Sequence, residues 1–376
     1  MEEKKQIRLL WITENYYPSR GGMAQSCDRI TSGLRNAGII VDIIHFTNRR
    51  KPFEPEVQQN GLYLACPMEE DTSHTFNRLW NYFSRPGFLK DYTHLVAFGG
   101  FLPIACGPVF SKWSGIPLVT MIRGNDFDHA IFAPRKQLLL KEALEKAVCN
   151  CVVSKDKAQK IGKTYENLNV VYTPNGISLE DWQPLKSDYY QAEQWKLQEV
   201  EEDKKVIGLF GHLKSKKGIA FFIEALKFSR KKDHLHLMIV GELDEAIQEK
   251  LVEEEISHTI LPFLDRFELL SYYPACDAIA IPSFYDGMPN VLLEAGALGV
   301  PVLASNVDGM KDVLEKDFSD WLFHPGDIQG CAKVLVNFLQ STKVQLLESG
   351  KSLSNLIGRE FTLEKEIANY LEIFRF

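Results

Sequence analysis

Residues 278–305 read AIAIPSFYDGMPNVLLEAGALGVPVLAS, and their pattern is the most informative one in the chain about its fold. A short apolar run is followed by a polar loop, a helix-length segment and a second short apolar run. Pro289 fits the first turn of a helix, where its missing N–H leaves no hydrogen bond unmade. Two short strands joined by a crossover helix predict a parallel β-α-β unit.

The same alternation of apolar runs and helix-periodic segments extends over the chain. The other main runs are RLLWIT (8–13), IIVDIIHF (39–46), THLVAFGG (93–100), PLVTMIRG (117–124), AVCNCVVS (147–154), LNVVYTPNG (168–176), KKVIGLFG (204–211) and LHLMIVGE (235–242). Continuous apolar runs are typical of parallel strands that are buried on both faces. The sequence therefore predicts an α/β protein with doubly wound parallel sheets.

The alternation stops once, over the charged and aromatic residues 178–204. We place a domain boundary there, which gives two Rossmann-like domains, residues 1–180 and residues 181–361. In doubly wound sheets the ligand lies beyond the carboxyl ends of the strands. Two such domains facing each other form a cleft, so we expect the functional residues directly after the strands.

Composition bounds the class of protein. Of the 376 residues, 45% are hydrophobic and 25% are charged, which is typical of a soluble globular protein. No apolar run reaches the ~18 residues that span a bilayer. The seven cysteines are scattered without a C-x-x-C pair, which predicts free thiols in a reducing cytoplasm.

The net charge of −7 is unevenly distributed. Residues 1–180 hold 22 Lys and Arg against 18 Asp and Glu, a net of +4, which leaves 21 against 32, or −11, for the remainder. An acidic chain argues against a nucleic-acid partner. The basic half either faces an anion, such as a phosphate or a membrane surface, or carries an excess without functional meaning.

Two loops that follow strands of the first domain carry candidate site residues. Gly21 and Gly22 allow close approach of a ligand, and the helix amino end behind them favours an anion. Arg123 suits an anion and Asp126 suits hydroxyl groups. The alternatives are an ordinary turn at the glycines and a local Arg–Asp cap in the second loop. Asp126 and Asp128 offer too few ligands for a metal site.

Two loops of the second domain predict a phosphate and ribose site. His212 and Lys217 lie in a basic loop at a helix amino end, where cations oppose the helix dipole. Either a phosphate lies among them or the loop is simply solvated. The N–H groups of residues 290–292 start the next helix and are expected to be free for a phosphate. Glu294 lies among apolar neighbours and is expected to reach back to a ribose; the alternative is a surface-facing side chain.

Taken in order, these motifs resemble the retaining glycosyltransferases of family 4 (the group 1 family), which have the GT-B fold. The resemblance covers nearly the whole chain. Its most specific segment matches the family pattern P-S-x-x-E-G-x-P-x-x-x-x-E-A-x-x-x-G-x-P. The matching segments are Tyr17 to Gly22, Pro174 to Gly176, Gly211 to Gly218, Val240 to Glu242, and Pro282 to Pro301.

The resemblance implies a GT-B protein with residues 1–180 on the acceptor side and residues 181–361 on the nucleotide-sugar donor side. A final helix over residues 362–376 would cross back onto the first domain. The implied reaction moves a sugar, with retention, from a nucleotide diphosphate sugar to the hydroxyl of an acceptor glycan or lipid-linked saccharide. Such reactions serve polysaccharide, glycolipid or glycoconjugate synthesis. The family generally needs no metal and no cofactor.

The resemblance also implies roles for single residues. Lys217 would bind the diphosphate, Asp286 would lie near the donor sugar, and Glu294 would hold the ribose. The implied catalytic residues are Asp286, Lys217, Arg123 and Asp126. The implied donor-binding residues are Gly21, Gly22, His212, Lys217, Gly241, Gly287, Met288, Pro289, Asn290, Val291 and Glu294.

Three positions depart from the family pattern. His212 replaces an Arg, which makes phosphate binding weaker or pH-dependent. Asp286 replaces a Glu and has a shorter reach. Arg123 stands where many members have a His near carbon 6 of the donor sugar, which predicts a donor with a carboxylate. These departures leave open a catalytically silent relative that binds nucleotide sugar or a partner enzyme. The shared architecture leaves open a nucleotide-sugar epimerase.

Residues 78–90 mix aromatic and cationic side chains. One interpretation is a peripheral contact of the N-terminal domain with the inner face of the membrane, where a lipid-linked acceptor would be met. The other is a helix that packs its aromatic side chains on the core.

Overall fold

The computed structural model describes residues 6–19, 21–124 and 126–375. The chain divides into two compact α/β units. The first comprises Met1–Asn175 with Leu363–Phe376, and the second comprises Gly176–Thr362.

The first unit contains an eight-stranded sheet. Its strands are β1 (Arg8–Thr13), β2 (Ile40–Phe46), β3 (Glu56–Gln58), β4 (Gly61–Cys66), β5 (His94–Phe98), β6 (Leu118–Ile122), β7 (Ala147–Val152) and β8 (Val170–Tyr172). Its helices before the second unit are α1 (Gly22–Asn36), α2 (Thr72–Phe83), α3 (Phe101–Ser114), α4 (Asp126–Ala130), α5 (Pro134–Lys146) and α6 (Lys155–Thr164). The strand order is β3-β4-β2-β1-β5-β6-β7-β8, with β3 antiparallel to β4 and the other neighbours parallel.

Both faces of this sheet are buried, as its apolar runs predict. Leu10 and Ile12 of β1 belong to one apolar cluster, whereas Leu9 and Trp11 belong to another. Successive side chains of a strand point to opposite faces, so the two clusters lie on the two sides of β1.

The second unit contains a six-stranded parallel sheet in the order β11-β10-β9-β12-β13-β14. Its strands are β9 (Lys205–Phe210), β10 (Leu235–Val240), β11 (His258–Leu261), β12 (Ala278–Ile281), β13 (Val302–Ser305) and β14 (Leu322–Phe323). Its helices are α7 (Lys186–Glu199), α8 (Ile219–Ser229), α9 (Glu245–Glu253), α10 (Arg266–Tyr272), α11 (Asn290–Ala297), α12 (Asp308–Leu314), α13 (Ile328–Gln340) and α14 (Lys343–Glu360).

The strand orders place a topological switch point in each unit. The chain builds outward from β1 to one side and then resumes beside it at β5, and it does the same from β9 and then β12. Ligands of doubly wound sheets bind beyond the carboxyl ends of the strands at such points. The candidate glycine loop follows β1, and the loops of Lys217 and Asp286 follow β9 and β12.

The last helix, α15 (Leu363–Ile373), belongs to the first unit and packs against α1. A Cβ at Gly33 of α1 would lie 2.4 Å from Ile367 Cδ1, so the small residue allows the close approach of the two helices.

The second unit begins at Gly176, earlier than the predicted boundary after residue 180. The N–H of Ile177 donates to the carbonyl of Phe361 at 2.9 Å, and Trp182 packs edge-on against Tyr273. The charged and aromatic interruption is therefore not a linker, because its helix α7 packs against α10 of the second unit.

The aromatic side chains of residues 78–90 pack on the core, which confirms the second interpretation of that segment. Phe83 is 2% exposed and contacts the rings of Phe88 and Phe110. Two of its cations have partners, since Arg78 pairs with Glu69 and the Arg85 guanidinium lies 4.1 Å from the ring centre of Tyr82. Within the described part of the chain, no helix has the length and apolar character needed to cross a bilayer.

Candidate active site

The loops after β9 and β12 touch each other in the second unit. Gly218 has φ +70°, and a Cβ there would lie 2.1 Å from the carbonyl oxygen of Pro282. The N–H of Phe284 donates to the carbonyl oxygen of Lys216 at 2.9 Å. Glycine is therefore required at position 218. The close approach of Gly218 to Pro282 brings the basic loop next to the loop that contains Asp286.

Lys217 and Asp286 form an ion pair at this junction. Lys217 Nζ donates to Asp286 Oδ2, and the side chains are 22% and 16% exposed. Burial favours the neutral acid, but the cations of Lys217 and Lys216 outweigh it and lower the pKa of Asp286. The two residues that the sequence assigned to the donor thus lie side by side, ionised and partly open to solvent.

A second carboxylate, Asp308, holds the backbone of this loop. Asp308 Oδ2 accepts from the N–H of Asp286 at 3.0 Å, and Asp308 is 3% exposed with φ +45°. The N–H of Gly309 donates to the carbonyl of Gly287 at 2.7 Å. Sequence reasoning missed Asp308, although an Asp-Gly pair separated by two residues from the strand β13 is a signal for a functional turn.

Glu294 is buried in α11 and has a protein partner. The hydroxyl of Tyr273 donates to Glu294 Oε2 at 2.6 Å, and Glu294 is 8% exposed. Burial and the adjacent carboxylate raise the pKa of Tyr273. The predicted surface-facing alternative is therefore wrong, and Tyr273 is a supporting residue that the sequence did not reveal.

The amino end of α11 differs by one residue from the expectation. Pro289 is the capping residue before the helix rather than its first residue. The N–H of Leu292 donates to the carbonyl of Pro289 at 3.1 Å, so this amide is not available for a phosphate. Of the amides predicted to be free, that of Val291 remains a candidate for a ligand.

His212 and Gly241 follow the neighbouring strands β9 and β10. His212 is half-exposed, and its Nδ1 lies 3.5 Å from Glu242 Oε2. Gly241 has φ +124°, and a Cβ there would lie 2.1 Å from the carbonyl oxygen of Gly211. The glycine at 241 thus allows the two loops to meet, which places His212 at the same edge as the Lys217–Asp286 pair.

In the first unit, the glycine loop opens α1. Gly21 is the capping residue before the helix and has φ +110°. A Cβ at this position would have no atom of the described residues within 4 Å. Glycine is used here for its backbone conformation, and the space beside it is open. Gly22 is the first residue of the helix.

Arg123 has a different environment from the one that the resemblance implied. Its side chain is 2% exposed, Nη1 donates to the Tyr370 hydroxyl at 2.7 Å, and Nη2 donates to Asn175 Oδ1. Glu366 Oε1 lies 3.7 Å from Nη2 and also accepts from Arg29 of α1. The guanidinium therefore fastens α15 to the sheet, and a donor carboxylate would have to displace these partners.

Asp126 acts on the backbone of two loops. Its Oδ1 accepts from the N–H of Gly100 at 2.8 Å, and its Oδ2 accepts from the N–H of Arg123 at 2.9 Å. Glu14, which sequence reasoning missed, accepts from the N–H of Leu102 at 2.5 Å. Burial raises the pKa of Glu14. Two carboxylates thus meet the amino end of α3, directly after β5; the Gly-Gly pair at 99–100 is the signal in the sequence.

Asp128 does not share a site with Asp126. It pairs with Lys157, whose side chain is fully buried, and its Oδ1 lies 3.8 Å from Lys160 Nζ. Among the described residues, no three His, Cys, Asp or Glu side chains are grouped as metal ligands.

The comparisons with known proteins agree with this architecture. The chain resembles sucrose-phosphate synthase from Thermosynechococcus elongatus with a TM-score of 0.82 and 18% identity, over 98% of each chain. It resembles HepE of Anabaena in complex with UDP-glucose with a TM-score of 0.79 and 16% identity, over 98% of this chain and 99% of that one. The protein therefore has the GT-B fold.

The sequence comparisons point to the same class of enzyme. The family model "Glycosyl transferases group 1" matches residues 191–351, which include the Lys217–Asp286 pair. The UDP-Gal:alpha-D-GlcNAc-diphosphoundecaprenol alpha-1,3-galactosyltransferase of Escherichia coli is 22% identical over 282 residues, 71% of each chain. These similarities support a glycosyltransferase of the group 1 type.

Proposed function

We propose that this protein transfers a sugar from a nucleotide diphosphate sugar to an acceptor hydroxyl, with retention of the anomeric configuration, as a member of family 4. The observation that carries the proposal is the ionised, partly exposed Lys217–Asp286 pair at the switch point of the second unit. The UDP-glucose complex of the similar HepE structure supports a nucleotide-sugar donor.

The second unit would hold the donor. The leaving diphosphate gains negative charge as the glycosidic bond breaks, and preorganised cations and N–H groups stabilise such charge. Lys217, His212 and the amide of Val291 at the start of α11 would supply them. Asp286 would face the donor sugar, and Glu294, oriented by Tyr273, would accept the ribose hydroxyls. The attack would occur on the face of the departing phosphate, which assists it.

The first unit would hold the acceptor, a glycan or lipid-linked saccharide in polysaccharide or glycolipid synthesis. Asp126 would fix the loops at Gly100 and Arg123, and the glycine loop at Gly21 would leave room for the acceptor. We place the protein in the cytoplasm, in peripheral contact with the membrane, and propose that it works without a bound metal. The galactosyltransferase of Escherichia coli, whose acceptor is a diphosphoundecaprenol, supports this acceptor class.

Thermal unfolding with uridine, guanosine and adenosine diphosphates, with and without Mg²⁺, tests the donor site. A ligand at 100 times its dissociation constant stabilises the folded state by about 2.7 kcal/mol, which is measurable as a shift of the transition. We expect one diphosphate to act, without a need for Mg²⁺. Its sugar conjugates are then assayed for transfer, and the product anomer shows whether the configuration is retained.

The matched variants are Lys217→Ala and Lys214→Ala, two lysines of the same loop. Only the first should abolish the shift, because Lys214 is solvent-exposed and lies outside the pair. Equal losses would mean that the loop binds diphosphate by bulk charge alone. Nucleotide binding without turnover would support the alternative of a catalytically silent relative. Conversion of the donor without an acceptor would support the epimerase. The comparisons favour neither alternative.

A further inference from the structure

An exposed surface of the first unit combines apolar and cationic side chains. We define the Phe132 surface by Phe101, Phe132, Arg135, Lys136 and Leu138. Phe132 is 88% exposed, Leu138 is 69% exposed and Phe101 is 37% exposed. Large apolar side chains with this exposure and cationic neighbours are unlike residues 78–90, whose aromatic rings are buried.

The cations of this surface are not neutralised by the described residues. Neither Arg135 nor Lys136 forms an ion pair with a carboxylate in residues 6–19, 21–124 or 126–375. The first turn of α5, which contains both, has no acidic residue. Lys136 Nζ lies 5.4 Å from the ring centre of Phe101, so this positive charge lies against one of the apolar side chains of the surface.

We propose that the Phe132 surface docks on an anionic lipid bilayer. Exposed Phe and Leu side chains partition into the headgroup boundary, and adjacent Arg and Lys side chains are attracted to lipid phosphates. The charge of the surface is complementary to this occupant. An acidic protein of net charge −7 has no general attraction to anionic membranes, so the local cations must supply it.

The Phe132 surface lies beside residues to which we assign acceptor binding, so docking would bring a lipid-linked acceptor to them. This step rests on the proposed function. Burial raises the pKa of Glu14, and the nearby positive charge of Lys136 partly opposes this rise. Phe101 adjoins Gly100, whose N–H is bound by Asp126. A saccharide carried on a lipid phosphate would therefore leave the bilayer directly beside the carboxylates at the amino end of α3.

Flotation with vesicles tests the docking without any turnover. Vesicles of phosphatidylglycerol and of phosphatidylcholine are compared at low and high salt. We expect binding to the anionic vesicles alone, weakened by salt. The double variant Arg135→Gln/Lys136→Gln should bind about 30-fold more weakly, and Phe132→Ala about tenfold more weakly. All three positions are at the surface, so the fold should persist, which circular dichroism checks.

Two control variants make the test specific. Arg85→Gln/Lys90→Gln removes the same charge from the segment that sequence reasoning favoured, and Val148→Ala shortens another exposed apolar side chain of this unit. Both should bind like the parent protein. Equal loss in the charge control, or unchanged binding of the Arg135 and Lys136 variant, overturns the proposal. So does a concentration-dependent dimer that Phe132→Ala abolishes and vesicles do not affect, because the surface then binds a second copy.

The outcomes separate docking from transfer. Flotation as expected together with no response to any nucleoside diphosphate would support the docking and contradict the proposed function. A diphosphate response with no flotation would support the donor site and overturn the docking.

Discussion

The two units each place a cation in the loop that follows a strand, and the two cations have opposite surroundings. Arg123 follows β6, is 2% exposed, and donates to Tyr370 and Asn175. Lys217 follows β9, is 22% exposed, and has Asp286 as its partner. Sequence position alone assigned both to the donor, whereas their surroundings separate a cation that holds the fold from one that can exchange partners.

The surroundings of Arg123 and Lys217 show how a charged residue that follows a strand can be interpreted. A buried cation with several fixed acceptors cannot be offered to a ligand without leaving other groups unpaired. A cation paired with one partly exposed carboxylate can turn to a phosphate at small cost, because water and the ligand replace its partner. The position of a residue in the fold identifies it as a candidate for ligand binding. Its burial and its hydrogen-bonding partners then distinguish a structural cation from one that can bind a ligand.

The largest expected effect is a loss of unfolding free energy when the buried charge network around Arg123 is broken. Glu366→Gln removes the carboxylate shared by Arg29 and Arg123. Breaking a buried charge network costs about 3–5 kcal/mol of unfolding free energy, measured by urea denaturation. Glu364→Gln makes the same chemical change at an exposed position of α15 and should cost less than about 0.5 kcal/mol. Similar costs for the two variants would show that the network does not hold the helix.

The next effect is on catalysis at the exposed side. Lys217→Ala should lower kcat/KM by about 10²–10³-fold, as expected for loss of one group that stabilises a developing anion. The unfolding free energy should change little, because the pair is partly solvated. Steady-state kinetics with the responding donor measures the effect, and Lys214→Ala serves as the control. An unchanged kcat/KM would remove Lys217 from the site.

A smaller effect separates loop contact from backbone strain. Gly218→Ala and Gly115→Ala both place a Cβ at φ near +70°, but only the first puts it against the carbonyl oxygen of Pro282. The strain alone costs about 1 kcal/mol, so the excess loss in Gly218→Ala reports the contact. We expect Gly218→Ala alone to weaken nucleotide binding, as measured by titration calorimetry. Equal losses of stability and unchanged binding would show that the two loops do not need the contact.

Much of the fold could be predicted because the parallel strands are long apolar runs with polar ends. Strands β3, β4 and β14 escaped prediction; β3 and β14 have only three and two residues, which do not establish a pattern. Strand β11 contains His258 and Thr259, so it lacks a continuous apolar run. Helix α7 was not predicted, because its polar composition hides the few residues that pack on α10.

The candidate site was predictable where chemistry lies in the motif itself. Lys217, Asp286 and Glu294 were proposed in this way; the structure brings Lys217 and Asp286 together, and the roles of all three stay predictions. Their supports were not, because Asp308 and Tyr273 act through backbone and hydroxyl contacts that depend on the tertiary fold. The role of Arg123 was misjudged for the same reason: Tyr370 is distant in sequence and only the packing of α15 brings it near.

The smallest effect distinguishes the carboxylates of the two units by the sign of their pH dependence. The pKa of Asp286 is lowered on folding, so its contribution to stability is present above its ordinary value near 3.8 and is lost as the pH falls through the lowered pKa. The pKa of Glu14 is raised on folding, chiefly by burial. Its ionised form therefore reduces stability above the raised pKa, and this penalty disappears as the pH falls below its ordinary value of 4.5.

The variants Asp286→Asn and Glu14→Gln should therefore respond to pH in opposite directions. The loss of unfolding free energy in Asp286→Asn should be larger near neutrality than at a pH below the lowered pKa of Asp286, by about 1.4 kcal/mol for each unit by which that pKa is lowered. The loss in Glu14→Gln should be smaller near neutrality than in acid. Urea denaturation of both variants and the parent protein at the two pH values measures this. Parallel pH responses would mean that the two carboxylates have similar environments, and the contrast between the units would then rest on Arg123 and Lys217 alone.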